Sequence, residues 1–131
     1  MGRIIKVGDG FLKTTLTNAI TNAQYGDTIL IDNIDLNKET MSSFEIPKGM
    51  DIKITSIDDE KKTLKNFRFE IKGYLSISNI ILDNDNNTDV FDIENGSLEL
   101  DNISFLNFHK DFKKFNIYNR IIFFILSLYF T

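Results

Sequence analysis

The sequence has no cysteine and no tryptophan, and it has a single proline and a single histidine. Without cysteine the chain can form neither disulfides nor a thiolate metal site. The lone histidine, His109, has no serine in a recognisable nucleophile motif to accompany it, so the pattern gives no support to a catalytic triad. These absences leave few routes to an enzyme active site.

An excess of positive charge is also missing, since 19 acidic residues outnumber 15 basic ones and the formal net charge is −4 at pH 7. Proteins that bind nucleic acid normally carry a basic stripe that replaces the counterions of the phosphates. We therefore expect no nucleic-acid partner for this chain.

No apolar stretch of signal-peptide length follows the basic residues near the N-terminus. This absence predicts either a protein that acts inside the cell or a part of a longer protein whose leader lies elsewhere. The apolar stretch at residues 121–130, in which only Ser127 is polar, is shorter than the roughly 17 to 25 residues that a membrane-spanning helix needs. Membrane association is therefore expected only through residues 121–130.

Four apolar residues near the N-terminus are spaced as one face of a helix. They are Leu16, Ala19, Ile20 and Ala23. Thr14 or Thr15 can cap the start of this helix, and Gly26 stands where helices often end on a left-handed residue. We predict a helix over about residues 15–24, followed by a turn and a buried strand at 26–31.

Three later segments share one order of residue types. They span residues 46–54, 71–77 and 93–100, and each has an apolar residue, a short polar link, a glycine and then alternating apolar and polar residues. The glycines are about two dozen residues apart, a period typical of solenoids, in which each unit buries its apolar face against its neighbours. We therefore predict that residues 44–108 form coils of a parallel β-solenoid.

Glycines and asparagines mark the predicted corners of these coils. Gly49, Gly73 and Gly96 are expected to adopt turn conformations that a side chain would penalise. Asn79 and Asn102 take the same place in successive units, which indicates a stacked asparagine ladder at an inward turn. The alternative is a pair of ordinary turn asparagines.

These motifs resemble those of right-handed parallel β-helix proteins, also called pectin lyase-like repeat proteins. The resemblance covers roughly residues 4–108. Residues 7–10, the predicted helix and residues 26–29 look like that family's N-terminal cap and first strand, while residues 75–82 and 98–105 look like its coil repeats. The sequence style most resembles the coils of large adhesin-like surface proteins of archaea and bacteria.

The resemblance implies an all-β fold, a right-handed parallel β-helix of about three to four coils with a short N-terminal capping helix. It places the β-helix in residues 1–108 and leaves residues 109–131 as an apolar C-terminal tail, where the glycine no longer recurs. It also implies an extracellular or cell-surface location.

The tail has three interpretations. It is a buried cap over the last coil, an interfacial or truncated membrane segment, or the product of a break in the reading frame. We favour a short helix or strand covering the open end, because an uncapped β-solenoid exposes its core and its strand edges.

A calcium loop is the first candidate site. Oxygen-bearing side chains at the first, third, fifth and seventh positions, with a glutamate at the twelfth, follow a pattern that suits calcium. The residues are Asp83, Asp85, Asn87, Asp89 and Glu94. Thr88 stands where the pattern needs glycine, and the alternative is a solvated polar turn between coils. Calcium is the only cofactor that the sequence suggests.

A carbohydrate-active site is the second candidate, because enzymes of the resembled family cut acidic polysaccharides. Of the four motifs in its polygalacturonase-like set, only the first is matched, by residues 87–89. The lyase route needs a basic residue, and Arg68 beside Asp83 or Asp85 in a neighbouring coil is the candidate. The alternative is a surface ion pair. We therefore assign no catalytic residue.

The functional prediction is a structural or adhesive β-helix module of a surface protein that presents loops to a glycan or a protein partner. The alternative is the N-terminal fragment of a polysaccharide lyase or glycosidase of the pectin lyase-like fold. A third interpretation is a product without function, whose tail is out of frame.

Overall fold

The computed structural model describes residues 2–85 and 89–107 with their side chains, and the backbone of three further strands. One α-helix, α1 (Leu16–Thr21), and one 3-10 turn (Leu36–Lys38) interrupt the strands of this described part. The strands are β1 Ile4–Val7, β2 Asp27–Ile31, β3 Ser43–Ile46, β4 Asp51–Ser56, β5 Lys62–Lys65, β6 Arg68–Ile71, β7 Tyr74–Asp83, β8 Phe91–Glu94, β9 Ser97–Leu106, β10 Phe115–Tyr118, β11 Ile122–Ile125 and β12 Leu128–Phe130.

The strands lie in two parallel sheets. The larger sheet has the order β1-β2-β4-β7-β9-β11, with β5 also pairing with β7 and β12 with β9, while the smaller sheet has the order β10-β8-β6-β3. Each strand pairs with the equivalent strand of the next coil: Ile52 lies opposite Leu75, and Leu75 opposite Leu98. The chain is therefore an all-β parallel solenoid of about four turns with one short helix near its N-terminus, as the repeat predicts.

Alternation along each strand builds the core. Along β7 and β9, buried residues alternate with half-buried or exposed ones on each side of a central turn. Phe44, Phe69 and Phe91 stack from coil to coil with ring centroids 5.9 Å apart, and each is at most 2% exposed. Such aromatic pairs add to the stabilisation that burial alone provides. One continuous apolar column therefore holds the coils together.

Helix α1 covers the N-terminal end of this column. Thr15 is its N-cap, as expected, and the Thr15 hydroxyl accepts a hydrogen bond from the backbone N–H of Asn18. Glu39 completes the cap, since its carboxylate accepts the backbone N–H groups of Leu16 and Thr17 at 2.8 Å each. The helix ends at Thr21, earlier than expected, because Asn22 closes it by donating to the Asn18 carbonyl.

The repeat glycines have different roles. Gly49 has a φ of +85°, as expected, and an added Cβ there would meet no atom within 4 Å. Gly73 and Gly96 lack a positive φ, so a side chain at these two positions is penalised by close contact and not by the backbone conformation. A Cβ at Gly73 would lie 2.3 Å from the Pro47 carbonyl oxygen, and one at Gly96 would lie 2.4 Å from the Ile71 carbonyl oxygen. Close approach of neighbouring coils is what requires these two glycines.

The alignment of Gly49 with Gly73 was also wrong by one position. Asp51 pairs with Tyr74, so Met50 lies in the place of Gly73 in the preceding coil. Residues 47–50 form a longer link than the later coils have, closed by a 3.0 Å hydrogen bond from the Met50 N–H to the Pro47 carbonyl. The longer link shifts the glycine out of register.

Three segments of the tail are strands that extend the solenoid. Strand β10 pairs with β8 in the smaller sheet, and β11 and β12 both pair with β9 in the larger one. His109 lies outside the described residues. Among the described residues, no helix is long and apolar enough to cross a membrane. The expected membrane association of residues 121–130 stays a prediction.

Candidate functional site

The asparagine ladder at one corner of the solenoid is confirmed. Asn79 and Asn102 have φ values of 52° and 54°, and the Asn102 side chain donates from Nδ2 to Asn79 Oδ1 over 3.1 Å. Ser56 takes the equivalent place in the preceding coil and donates from Oγ to the Asn79 carbonyl over 2.6 Å. These side chains turn the strands at the same place in each coil.

The same corner positions a charged loop, residues 57–61, between β4 and β5. The Asn79 side chain donates from Nδ2 to the Asp58 carbonyl over 3.1 Å. Ser56 Oγ accepts the Lys62 N–H over 2.8 Å, which begins β5 on the far side of the loop. The ladder therefore fixes both the start and the end of this loop against the larger sheet.

A cleft of about 380 Å³ lies beside the loop. Its walls are residues 32–34, which follow β2, residues 60–63 of the loop and β5, and Ile81 of β7. Residues from three successive coils therefore line one depression. Its volume falls in the range of roughly 300 to 1,000 Å³ that small-molecule sites occupy. We regard it as the candidate functional site.

Lys62 is the central charge of the cleft. Its side chain is only 10% exposed, and its ammonium lies 3.5 Å from Glu60, 3.7 Å from Asp58 and 4.0 Å from Asp32. A largely buried ammonium needs such partners, because desolvation otherwise disfavours the charged form. The three carboxylates hold Lys62 in place.

Asp32 joins this cluster to the N-terminal loop. Its carboxylate accepts a 2.6 Å hydrogen bond from the Lys13 ammonium. This bond lowers the pKa of Asp32, against the opposing effect of burial, and the charge of Lys62 lowers it further. Asp32 is therefore a carboxylate at neutral pH and an acceptor on the cleft wall.

The remaining lining is mixed. Lys61 donates from Nζ to Ser104 Oγ over 2.8 Å and so reaches across to β9. Thr63 is exposed and offers a hydroxyl, while Ile34 and Ile81 are half-buried apolar walls. The cleft thus presents acceptors, donors and apolar surface at fixed places, an arrangement that suits a polar ligand with some apolar faces.

The predicted calcium residues are spread over a longer stretch of the coil. Asp83 Oδ1 accepts from the Asn107 side chain over 2.8 Å, and Asp85 Oδ1 accepts from the Asn66 side chain over 2.9 Å. Both carboxylates thereby join neighbouring coils, a role that the sequence reading missed.

Glu94 lies at the opposite end of β8 from the loop, roughly 10 Å of strand away at 3.3 Å per residue. Asn87 lies outside the described residues. Within the described residues, no group of three or more histidine or acidic side chains is placed to hold a metal ion. Calcium binding stays a prediction, which titration calorimetry on the wild type and on Asp83→Ala decides.

Arg68 does not lie where the lyase interpretation needs it. Its guanidinium pairs with Asp92 at 2.9 Å, not with Asp83 or Asp85. The reason is that Arg68 begins β6 in the smaller sheet, whose neighbour in the next coil is β8, whereas Asp83 ends β7 in the larger sheet. The suggested catalytic pairing was wrong.

The fold and the cleft define a parallel β-solenoid with a lateral, mixed-charge cleft. Comparison with protein-family models, with curated proteins and with solved structures finds no match for the chain.

Proposed function

We propose that this chain is a structural or adhesive solenoid module that binds a glycan through the cleft beside Lys62. The single observation that carries the proposal is the cleft itself, in which Asp32 and Lys62 are fixed by ion pairs before any ligand arrives. Preorganised polar groups bind at a lower entropic cost than mobile ones.

The lining suits a sugar. A sugar ring presents hydroxyl groups that both donate and accept hydrogen bonds, together with C–H faces that pack on apolar side chains. Thr63 and Asn33 can donate and accept, and Asp32 can accept. Ile34 and Ile81 supply apolar wall for the ring faces.

The solenoid gives such a site a rigid support. The apolar column and the asparagine ladder tie each coil to the next, so the cleft walls from three coils move little relative to one another. The loop that lines the cleft is held to the larger sheet by the hydrogen bonds of Ser56 and Asn79, which support its position. A surface module that holds a glycan under load would use this rigidity.

We further propose that the solenoid is right-handed and related to the pectin lyase-like and adhesin-like surface proteins that its repeats resemble. Parallel coils, a capping helix and a corner asparagine ladder support this relationship. So does the strong preference of parallel crossovers for the right hand. A location at the cell surface follows from the same proposal.

A glycan array followed by calorimetry tests the binding function. Wild-type protein is expected to retain at least one glycan class, and Thr63→Trp is expected to abolish this binding by filling the cleft. The matched control is Ser43→Trp, which places the same side chain at an exposed position of another four-residue strand, β3. If no glycan is retained, or if both variants bind like the wild type, the proposed function is wrong.

The alternative of a polysaccharide lyase or glycosidase fragment is tested by the same protein. Release of unsaturated or reducing sugar from polygalacturonate or alginate would favour it. Since Arg68 pairs with Asp92 in the smaller sheet, we expect no such release and no effect of Arg68→Ala on glycan binding.

A further inference from the structure

We propose that the cleft selects neutral or amine-bearing sugars and rejects uronates. This inference rests on the proposed glycan binding, and it adds the chemical class of the ligand. It follows from how the charges in and around the cleft are paired.

A uronate carboxylate would need a cation in the cleft. Lys62 is already shared by Glu60, Asp58 and Asp32, at 3.5 to 4.0 Å. Lys13 is bonded to Asp32 at 2.6 Å. A further carboxylate beside either ammonium would add like-charge repulsion to a cluster in which three carboxylates already outnumber the two ammonium groups.

Lys61 does not change this result. Its ammonium donates to Ser104 Oγ over 2.8 Å, so it spans the sheet to β9. This bond uses one of the three N–H donors of the ammonium, so a ligand carboxylate that reached Lys61 would still lie in a cleft lined by Asp32 and Glu60. A site that binds uronates strongly would instead be expected to present an arginine fork, the geometry that matches a carboxylate.

Acceptors, by contrast, are well placed. Glu60 lines the cleft with a carboxylate that is 82% exposed, and its ion pair with Lys62 is 3.5 Å long. A carboxylate has about four lone-pair positions, so Glu60 can accept a sugar hydroxyl or ammonium while it keeps Lys62. Asp32 offers a second acceptor in the lining of the cleft.

Three hexasaccharides with one β-1,4-glucan backbone test the selection: cellohexaose, its glucosamine counterpart and its glucuronate counterpart. Calorimetry at about 0.15 M salt, where the Debye length is about 8 Å, limits long-range charge effects. We expect the neutral and amine-bearing forms to bind, and the uronate to bind at least tenfold more weakly.

Glu60→Gln separates charge from shape. This substitution is expected to weaken binding of the amine-bearing hexasaccharide severalfold. Binding of the neutral hexasaccharide should stay within twofold of the wild-type affinity. Glu45→Gln, at an exposed carboxylate on the smaller sheet, is the control and should change neither.

The outcomes distinguish the two proposals. Uronate binding as tight as that of the neutral sugar, or an unchanged amine preference in Glu60→Gln, overturns the selection and leaves glycan binding standing. Failure of all three hexasaccharides, together with an empty glycan array, overturns the proposed function itself.

Discussion

Asn102 donates a hydrogen bond from its side-chain nitrogen to the side-chain oxygen of Asn79, 3.1 Å away, and both residues have a left-handed backbone. Two requirements meet in these residues. The corner needs a residue that tolerates a positive φ, and the stack needs a side chain that donates and accepts at once. Asparagine satisfies both, which explains its place in successive coils.

Substitution at Asn102 separates these requirements. Asn102→Ala loses the hydrogen bond and places a Cβ in the left-handed region, so we expect it to lower the free energy of unfolding by about 1 to 3 kcal/mol. Asn102→Gly tolerates the left-handed backbone conformation, so it should lower the free energy of unfolding less than Asn102→Ala does. Urea unfolding measures both. Asn37→Ala, in the exposed 3-10 turn, is the control and should stay within about 0.5 kcal/mol of the wild type. If the alanine variant is as stable as the glycine variant, or more stable, this account is contradicted.

Substitution by asparagine is expected to change the free energy of unfolding differently at the two kinds of repeat glycine. Gly49→Asn should be nearly neutral, because φ is +85° there and the space around it is open. Gly96→Asn should cost about 1 to 3 kcal/mol or more, because its Cβ would meet the Ile71 carbonyl oxygen at 2.4 Å. Thermal and urea unfolding compare the variants. Equal losses at the two positions would mean that the coils do not approach each other as described.

A buried carboxylate binds the start of the N-terminal strand, and its contribution to stability depends on pH. Asp27 has a fully buried side chain and pairs with Arg3 at 2.8 Å. Its hydrogen bonds with Arg3 and with backbone N–H groups lower its pKa to about 2. Because the pKa is lower in the folded state, this stabilisation is present above about pH 4 and is lost as the pH falls towards 2.

Asp27→Asn tests this dependence. Arg3 is half exposed, so solvent screening reduces the effect, and we expect the variant to lose about 1 to 2 kcal/mol at pH 7. The difference in free energy of unfolding between the variant and the wild type should become smaller as the pH falls from about 4 to 2. Unfolding free energies measured across this range check it. A gap that stays constant down to pH 2 would show that Asp27 acts through packing alone.

Much of the fold is readable from the sequence, for physical reasons. The solenoid, the N-cap at Thr15 and the pairing of Asn79 with Asn102 follow from local spacing and from a repeat whose units must stack. The register near Gly49 was harder to predict, because a longer link moves the glycine without disturbing the apolar pattern on either side.

The cleft was not predictable in the same way. Asp32, Lys62 and Ile81 are far apart in the sequence and meet because successive coils stack them. The charged run at residues 58–62 was a signal, yet such runs are also typical of solvated turns. Only the pairing register shows that Lys62 turns inward between carboxylates while Thr63, the next residue, is exposed.

The absence of cysteine makes the stacking of coils directly measurable. Ser78 and Asp101 are register partners on β7 and β9, and both face outward. Neighbouring Cα atoms in a sheet lie about 4.8 Å apart, within the usual disulfide range of 4.4 to 6.8 Å. Ser78 and Glu99 are offset by two residues, and their Cα atoms are roughly 8 Å apart by strand geometry.

Oxidation of the double variant Ser78→Cys, Asp101→Cys, followed by thiol counting under denaturing conditions, tests the central claim most directly. A parallel solenoid in the described register predicts that this pair forms a disulfide readily and that the pair Ser78→Cys, Glu99→Cys does not. Equal oxidation of both pairs, or oxidation of the offset pair alone, would contradict the stacked coils on which the cleft depends.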